Sequence, residues 1–213
     1  MTVLLSDPQI TSILAHDNGE RLVDIATLGL SYSGDGDAGR FVRATVGQRL
    51  QRAQDCLPTG LSLLVREGYR SASEQKSIIA SYSASLRRDV PGLDPAALHR
   101  MTSRFVAPLA VAPHVAGAAV DLTIMDEHGT PLWMGTPIDA TPEESRNACA
   151  FDATNISAEA RRNREVLARA LLGQGLVNYP TEWWHWSYGD RYWAYLTEAG
   201  SAIYGPLTEV AAA

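Results

Sequence analysis

Cysteine is scarce in this sequence: among its 213 residues only Cys56 and Cys149 occur, far apart in the chain. A disulfide framework in a secreted chain would need more cysteines, and a zinc–thiolate site would need closer spacing. We therefore expect two free thiols in a reducing compartment.

Long apolar runs are also missing. No stretch approaches the roughly 18 residues of a transmembrane helix, and residues 1–14 lack the basic start and apolar run of a signal peptide. We expect a cytoplasmic protein without a membrane partner; a periplasmic location would follow only if a leader had been removed.

Positive charge is not concentrated in any surface stripe, and the formal net charge is −6. The densest group of arginines falls within a predicted helix, where a solvated face explains it; its members are Arg161, Arg162, Arg164 and Arg169. A nucleic-acid partner is therefore not expected. Linkers, repeats and low-complexity runs are lacking as well. Residues 1–213 are predicted to form one domain, with a segment at about 1–43 wrapping the core and a frayed tail at about 206–213.

Three kinds of catalytic motif are absent. The sequence has no Gly-x-Ser-x-Gly nucleophile elbow, no Gly-x-x-x-x-Gly-Lys phosphate loop and no His-Glu-x-x-His zinc helix. These absences disfavour a serine hydrolase, a P-loop nucleotide-binding protein and a metalloprotease of the helical type.

Apolar spacing and capping residues predict four helices. Residues 44–57 place apolar side chains at i, i+4, i+7 and i+11, and Pro58 ends the pattern. Capping residues mark three further helix starts, which are Ser71 with Glu74, Asp94 with Pro95, and Ser157, whose helix extends to Leu172.

Strands are predicted in the intervening segments. Residues 61–66 form a short apolar run, and residues 118–125 alternate so that Asp121 points away from the more apolar face. Aromatic runs on both sides of Gly189-Asp190, within residues 181–196, predict a β-hairpin. Helices followed by strands, without regular βαβ alternation, predict an α+β fold with a central antiparallel or mixed sheet flanked by helices.

Two of the five histidines have neighbours suited to binding a metal. His114 and Asp121 are separated by six residues, and His185 ends the stretch Glu182-Trp-Trp-His185. Two imidazoles and a carboxylate make the three protein ligands of a catalytic zinc, which keeps a fourth position open for water. Either histidine alone is explained more simply by a structural role, so the prediction depends on the two motifs together.

Further residues support this pair of motifs. Gly117 allows a sharp turn between His114 and the strand of Asp121. Glu182, placed in the turn that enters the next strand, can act as a general base beside the metal. Arg70 follows a predicted strand and can polarise a carbonyl, although taken alone it is also consistent with an ordinary surface arginine.

These motifs resemble, in the same order, those of the D-alanyl-D-alanine dipeptidases of peptidase family M15, known from vancomycin resistance. The similarity extends from about Val42 to Gly205 and rests mainly on four stretches: Glu67–Arg70, Pro113–Thr123, Met134–Asp139 and Thr181–His185. The resemblance implies the α+β fold shared with zinc D,D-carboxypeptidases and hedgehog signalling domains. It also implies one zinc ion per chain, with His114, Asp121 and His185 as ligands.

The resemblance further implies roles for three residues. Glu182 is expected to be the general base, Arg70 to polarise the scissile carbonyl, and Asp139 to receive the free ammonium group of the substrate. The expected function is hydrolysis of D-Ala-D-Ala or a related small dipeptide with a free N-terminus.

Two other functions stay open. One is a D,D-carboxypeptidase acting on cell-wall peptides, which Asp139 disfavours because it favours a free amine. The other is a non-catalytic zinc-containing binding module, which the presence of Glu182 disfavours. The preferred dipeptide and the oligomeric state do not follow from the sequence.

Two segments depart from the family pattern. Ala112-Pro113-His114-Val115 lacks the hydroxyl residue that often neighbours the first zinc histidine, and Ile25-Ala-Thr27 replaces Tyr-Ala-Thr. Because both segments line the substrate pocket in the family, these departures bear on which dipeptide is cleaved rather than on the metal chemistry.

Overall fold

A mixed β-sheet forms the centre of the computed structural model, which describes residues 2–207. Its strands are β2 (Ser31–Tyr32), β4 (Ser62–Glu67), β5 (Ala119–Met125), β6 (Val177–Asn178) and β7 (His185–Ser187). They lie in the order β2-β4-β5-β7-β6. The β2–β4 pair is parallel and the others are antiparallel. A small antiparallel sheet pairs β1 (Leu22–Asp24) with β3 (Phe41–Arg43).

Helices flank this sheet. They are α1 (Pro8–Thr11), α2 (Ala44–Asp55), α3 (Ala72–Asp89), α4 (Pro95–Thr102), α5 (Ala158–Leu172) and α6 (Arg191–Thr197). Short 3₁₀ turns occur at Ile25–Leu28, Ala38–Arg40 and Leu109–Val111. The side chains of Ser71, Asp94 and Ser157 accept hydrogen bonds from backbone N–H groups three residues later, so the predicted helix starts are confirmed.

The main core lies where α2 and α5 pack against the sheet. Apolar side chains of both helices and of alternate β5 positions are fully buried there, among them Val46, Leu50, Leu167, Leu171, Val120 and Leu122. Asp121 and Thr123, at the other β5 positions, are also buried. The polar and apolar residues of β5 alternate as predicted, yet both faces of the strand are covered.

The first 43 residues do more than wrap the core. They supply β1, β2 and β3, and Ile25, Leu30 and Val42 are core residues. At the other end, the Leu207 N–H donates to the Val115 carbonyl at 3.0 Å. Residues 208–213 of the predicted tail lie outside the described residues. Within residues 2–207, no helix combines the length and apolar character needed to cross a membrane.

The predicted hairpin over residues 181–196 is wrong in its second half. The first half contains β7, which pairs with β5 and β6, whereas the second half is α6. The Asp190 carboxylate explains the difference, because it accepts from the N–H groups of Tyr192 (3.2 Å) and Trp193 (3.0 Å). Such contacts cap a helix N-terminus and so favour a helix over a second strand after Asp190.

The assignment of the α5 arginines to a solvated face is wrong for Arg164. Its side chain is buried, and its guanidinium donates to the carbonyls of Met134, Ala148 and Ala150 at 2.6–2.7 Å. Helical spacing shows which residues share a face, but it does not reveal that the chain between β5 and α5 covers that face. Arg164 therefore fastens this irregular segment to the helix.

Candidate active site

Strand register alone brings two of the predicted metal ligands together. Asp121 of β5 lies directly opposite His185 of β7, and residues opposite each other in an antiparallel pair share one face of the sheet. On the other side of β5, Asp121 also lies opposite Glu67, after a register shift between Val65 and Glu67. This bulge turns Glu67 to the face of Asp121, so three polar side chains form a row across three strands.

His114 joins this row from the turn that precedes β5. The Gly117 N–H donates to the His114 carbonyl at 2.9 Å, and Gly117 has φ +65°, a left-handed conformation. A Cβ atom there would also lie 2.5 Å from a methyl group of Leu22. The predicted role of Gly117 in a sharp turn therefore has a conformational and a steric reason.

Three ligand atoms converge in this cluster. His185 Nδ1 lies 3.0 Å from Asp121 Oδ1 and 3.1 Å from His114 Nε2, and His114 Nε2 lies 3.3 Å from Asp121 Oδ1. With ligand distances of about 2.0–2.1 Å, two ligand atoms of a tetrahedral zinc ion lie about 3.3 Å apart. The spacing therefore fits three ligands of one small ion.

The tautomer of His114 fits a metal ligand as well. His114 Nδ1 lies 2.7 Å from the Gly68 carbonyl, an oxygen that only accepts, so Nδ1 carries the hydrogen. The lone pair of Nε2 then points into the cluster, as in metal sites whose histidines are oriented by a backbone carbonyl.

The electrostatics of the cluster favour a positive charge. Burial alone would lower the pKa of His114, but the Asp121 carboxylate outweighs it and raises that pKa. Burial would likewise raise the pKa of Asp121, yet the two histidines hold it well below its usual range. All three side chains are about 95% buried, so a carboxylate and two imidazoles share a site from which water is largely excluded.

Glu182 lies in the turn before β7, as predicted. The Asn178 side-chain amide donates to the carbonyls of Glu182 and His185, both at 2.9 Å. Residues three apart on a straight strand face opposite sides. Here the two hydrogen bonds of Asn178 hold the backbone in a bend, and Glu182 Oε2 lies 3.8 Å from His185 Nδ1.

The environment of Glu182 favours its protonated form. The side chain is buried, and burial together with the Asp121 and Asp139 carboxylates raises the pKa of Glu182 well above its usual value. Arg70 opposes this shift, and a bound dication would oppose it further. A carboxylate with a raised pKa suits the transfer of a proton.

Arg70 is held rigidly beside the cluster. Its Nε donates to Glu67 Oε1 at 2.7 Å, its Nη2 donates to the other oxygen of the same carboxylate, and its Nη1 donates to Gln75 Oε1 at 2.8 Å. Burial would lower the pKa of Arg70, but the Glu67 carboxylate keeps it above its ordinary value. Two guanidinium hydrogens remain for a ligand, so the arrangement suits a fixed donor to a carbonyl oxygen.

A cavity of about 550 Å³ connects these groups, and Asp139 lies at its edge. Asp139 is an exposed residue with φ +66°, a conformation that aspartate tolerates better than most side chains. Partial burial of its carboxyl and the nearby Asp121 and Glu67 carboxylates raise the pKa of Asp139 to about 6. Asp139 also borders an adjoining open groove, so it does not close the cavity completely.

The two departures from the family pattern have different positions. Ala112 lines the cavity, whereas Ile25 is fully buried in the main core and is not among the described residues that line the cavity. The expectation that both segments line the pocket is therefore wrong for Ile25.

The sequence analysis assigned no role to three supporting residues: Glu67, which it named only as part of a matching stretch, Gln75 and Asn178. Glu67 turns inward only because of the β4 bulge, which no local pattern announces. Gln75 accepts from the Arg70 side chain, and Asn178 donates to backbone carbonyls of Glu182 and His185. These contacts depend on the folded chain. Gln75, a polar residue in the first turns of α3 and five positions after Arg70, offered the one weak signal.

A sequence profile described as D-Ala-D-Ala dipeptidase, of peptidase family M15, matches residues 41–199. The chain belongs to this family. The matched range contains all six site residues that the sequence predicted: Arg70, His114, Asp121, Asp139, Glu182 and His185.

Two curated relatives and one solved structure are also similar. The chain is 34% identical to a D-alanyl-D-alanine dipeptidase of Synechocystis sp. over 41% of its own length and 38% of the relative's. It is 40% identical to an Escherichia coli K12 enzyme of the same name over 34% of its length and 35% of the relative's. The aligned part thus spans little more than a third of either relative. The solved structure of the LD-carboxypeptidase LdcB aligns with 93% of this chain and 86% of its own, with 17% identity and a TM-score of 0.49.

Proposed function

We propose that this member of the M15 family is a zinc-dependent dipeptidase that hydrolyses D-Ala-D-Ala or a related small dipeptide with a free N-terminus. One observation supports it above all: the buried His114–Asp121–His185 cluster opens into the same cavity as Glu182 and Arg70. The names of the two curated relatives support D-Ala-D-Ala as the substrate class.

The cluster fits one zinc ion per chain, because its nitrogen and carboxylate donors and their spacing suit a tetrahedral site with one open position. When bound there, zinc supplies a Lewis acid that polarises the scissile carbonyl and acidifies water.

The chain's own residues supply the remaining chemistry. Glu182 takes a proton from the attacking water and passes it to the leaving amine. Arg70, fixed by Glu67 and Gln75, donates to the carbonyl oxygen as negative charge develops on it. Asp139 pairs with the substrate ammonium group and so selects a free N-terminus.

A D,D-carboxypeptidase acting on longer cell-wall peptides is the second candidate. The open groove beside Asp139 favours it, because a peptide extended at its N-terminus would find space there.

Hydrogen bonds to charged groups contribute about 1.5–3 kcal/mol, or roughly tenfold to a hundredfold in affinity. The ammonium contact of Asp139 is therefore strong enough to separate the two functions in an experiment.

The test compares D-Ala-D-Ala with N-acetyl-D-Ala-D-Ala on the zinc-loaded wild type and on Asp139→Asn. We expect acetylation to lower kcat/KM roughly tenfold to a hundredfold in the wild type and very little in Asp139→Asn, a coupling that the two-by-two cycle isolates. Glu144→Gln is the matched control, since Glu144 borders only the adjoining groove and should retain the wild-type ratio.

Equal cleavage of both substrates by the wild type would place the carboxypeptidase function ahead. If the zinc-loaded protein cleaves neither substrate, the dipeptidase proposal is wrong and a binding module becomes the better explanation.

A further inference from the structure

The N-terminal segment, residues 2–11, docks beside the candidate site. The Tyr192 hydroxyl donates to the Val3 carbonyl at 3.3 Å, and Leu5 is only 3% exposed. Leu5 and Ile10 belong to a second apolar cluster, which also contains Val111, Val177, Tyr179 and Tyr192. This segment is therefore packed into the molecule.

Leu5 reaches the cavity through its contact with Tyr179. The Leu5 N–H lies 3.4 Å from the Tyr179 hydroxyl, and the Tyr179 ring packs edge-on against the His185 ring with centroids 6.0 Å apart. Leu5 lines the same cavity as Glu182 and His185. An N-terminal residue thus lies one side chain away from a proposed metal ligand.

The cavity lining contains both charged and apolar side chains. Asp139, Glu67 and Arg70 supply charged groups, whereas Leu5, Val106, Ala107 and Ala112 supply apolar lining. If the ammonium group pairs with Asp139 and the scissile carbonyl lies at the metal cluster, the residue after the scissile bond extends away from Asp139. The apolar lining residues are then the ones suited to contact its side chain.

We propose that Leu5 is the wall that limits the size of the side chain at the C-terminal residue of the dipeptide. The proposal rests on the dipeptidase function proposed above. The family profile begins at residue 41, so this wall comes from a part of the chain that the profile does not cover. Specificity for the second residue is thereby set separately from the metal chemistry.

The test measures kcat/KM for D-Ala-Gly, D-Ala-D-Ala and D-Ala-D-Leu. A cavity wall that differs by a few methylene groups discriminates by about 10- to 200-fold. Leu5→Ala should therefore raise the D-Ala-D-Leu to D-Ala-D-Ala ratio about tenfold or more. Leu5→Phe should shift preference the opposite way, toward D-Ala-Gly. Leu5→Val should shift the ratio in the same direction as Leu5→Ala by a smaller factor, and it preserves the test should the alanine variant fail to fold.

Leu4→Ala is the matched control. Leu4 packs partly buried against the same apolar cluster, but it is not among the described residues that line the cavity. It should leave all three ratios unchanged. Unchanged ratios in the Leu5 variants, or an equal shift in Leu4→Ala, would overturn the proposal. A wild type that cleaves none of the three dipeptides would instead refute the dipeptidase function.

Discussion

At the scale of single residues, Glu182 occupies an unfavourable position for an ionised side chain. It is buried and faces two other carboxylates, and both conditions raise its pKa. Packing alone does not call for a carboxylate here, since an apolar or amide side chain would be buried at lower cost. The proposed proton transfer explains why a carboxylate occupies this buried position.

Glu182→Gln should separate catalysis from stability. The amide keeps the shape of the side chain but cannot take a proton, so kcat should fall by about 10² to 10⁴. The melting temperature should stay the same or rise, because a buried ionisable group is replaced by a neutral one. Zinc content measured on the same preparation should equal that of the wild type. Wild-type turnover in this variant would assign Glu182 a structural role.

Asp139 should make substrate binding depend on pH. Its pKa is raised to about 6, so the carboxylate is charged above that pH and becomes protonated below it, while an α-amino group stays charged up to about pH 8. KM for the free dipeptide should therefore be about tenfold higher at pH 5 than at pH 7.

The Asp139→Asn variant isolates this effect. It should show a uniformly higher KM with little change between the two pH values, because the group whose ionisation changes between them is missing from this variant. Parallel KM profiles in the wild type and the variant would argue against an ammonium contact at Asp139.

At the scale of elements, α5 shows how a helix supports a distant loop. Arg164 donates to four carbonyls of the segment between β5 and α5 that carries Asp139, those of Met134, Ala148, Ala150 and Phe151. The same segment is held from the β7 side, where Trp183 Nε1 donates to Thr136 Oγ1 at 2.8 Å. These two anchors keep the left-handed turn at Asp139 in place.

Arg164→Met should destabilise the fold strongly. Each buried carbonyl that loses its partner costs about 1–3 kcal/mol, so the free energy of unfolding should fall by roughly 3–5 kcal/mol. Arg162→Met is the control: Arg162 is exposed on the same helix, and a change there is typically within about 0.5 kcal/mol. Urea unfolding of both variants measures the difference, and equal stabilities would contradict the anchoring role.

The secondary-structure elements that the sequence predicted well are those determined by contacts between residues close together in the chain. Ser71, Asp94 and Ser157 cap the helices that follow them, and their hydrogen bonds span three residues. Asp190 is equally local, but aromatic β-propensity on both sides of Gly189 outweighed it in the prediction. The inward turn of Glu67 and the burial of Arg164 depend on a bulge and on a covering segment, which are set by tertiary packing.

The candidate ligands were found for a different reason. Histidine occurs only five times in the chain, and His114, Asp121 and His185 stood in motifs that resemble a known family. Their convergence was therefore predicted before any geometry. Gln75 and Asn178, which orient the reactive side chains through hydrogen bonds, belong to no such motif. Chemistry-bearing residues were therefore easier to predict than the residues that position them.

At the scale of the whole molecule, the cluster joins parts of the chain that are distant in sequence. His114 comes from the turn before β5, Asp121 from β5 and His185 from β7. An ion held by all three binds only the folded chain, so it should raise the melting temperature, and the rise should grow with the logarithm of the free zinc concentration once the site is saturated. Function and stability of the protein are then linked through one site.

Titration of the metal-free protein with zinc tests the central claim most directly, with release of D-Ala from D-Ala-D-Ala as the readout. Activity should rise linearly and stop increasing at one zinc ion per chain. The His114→Ala, His185→Ala double variant should remain inactive and show no tight zinc binding. Full activity in the presence of a strong chelator, or undiminished zinc binding by the double variant, would contradict the account.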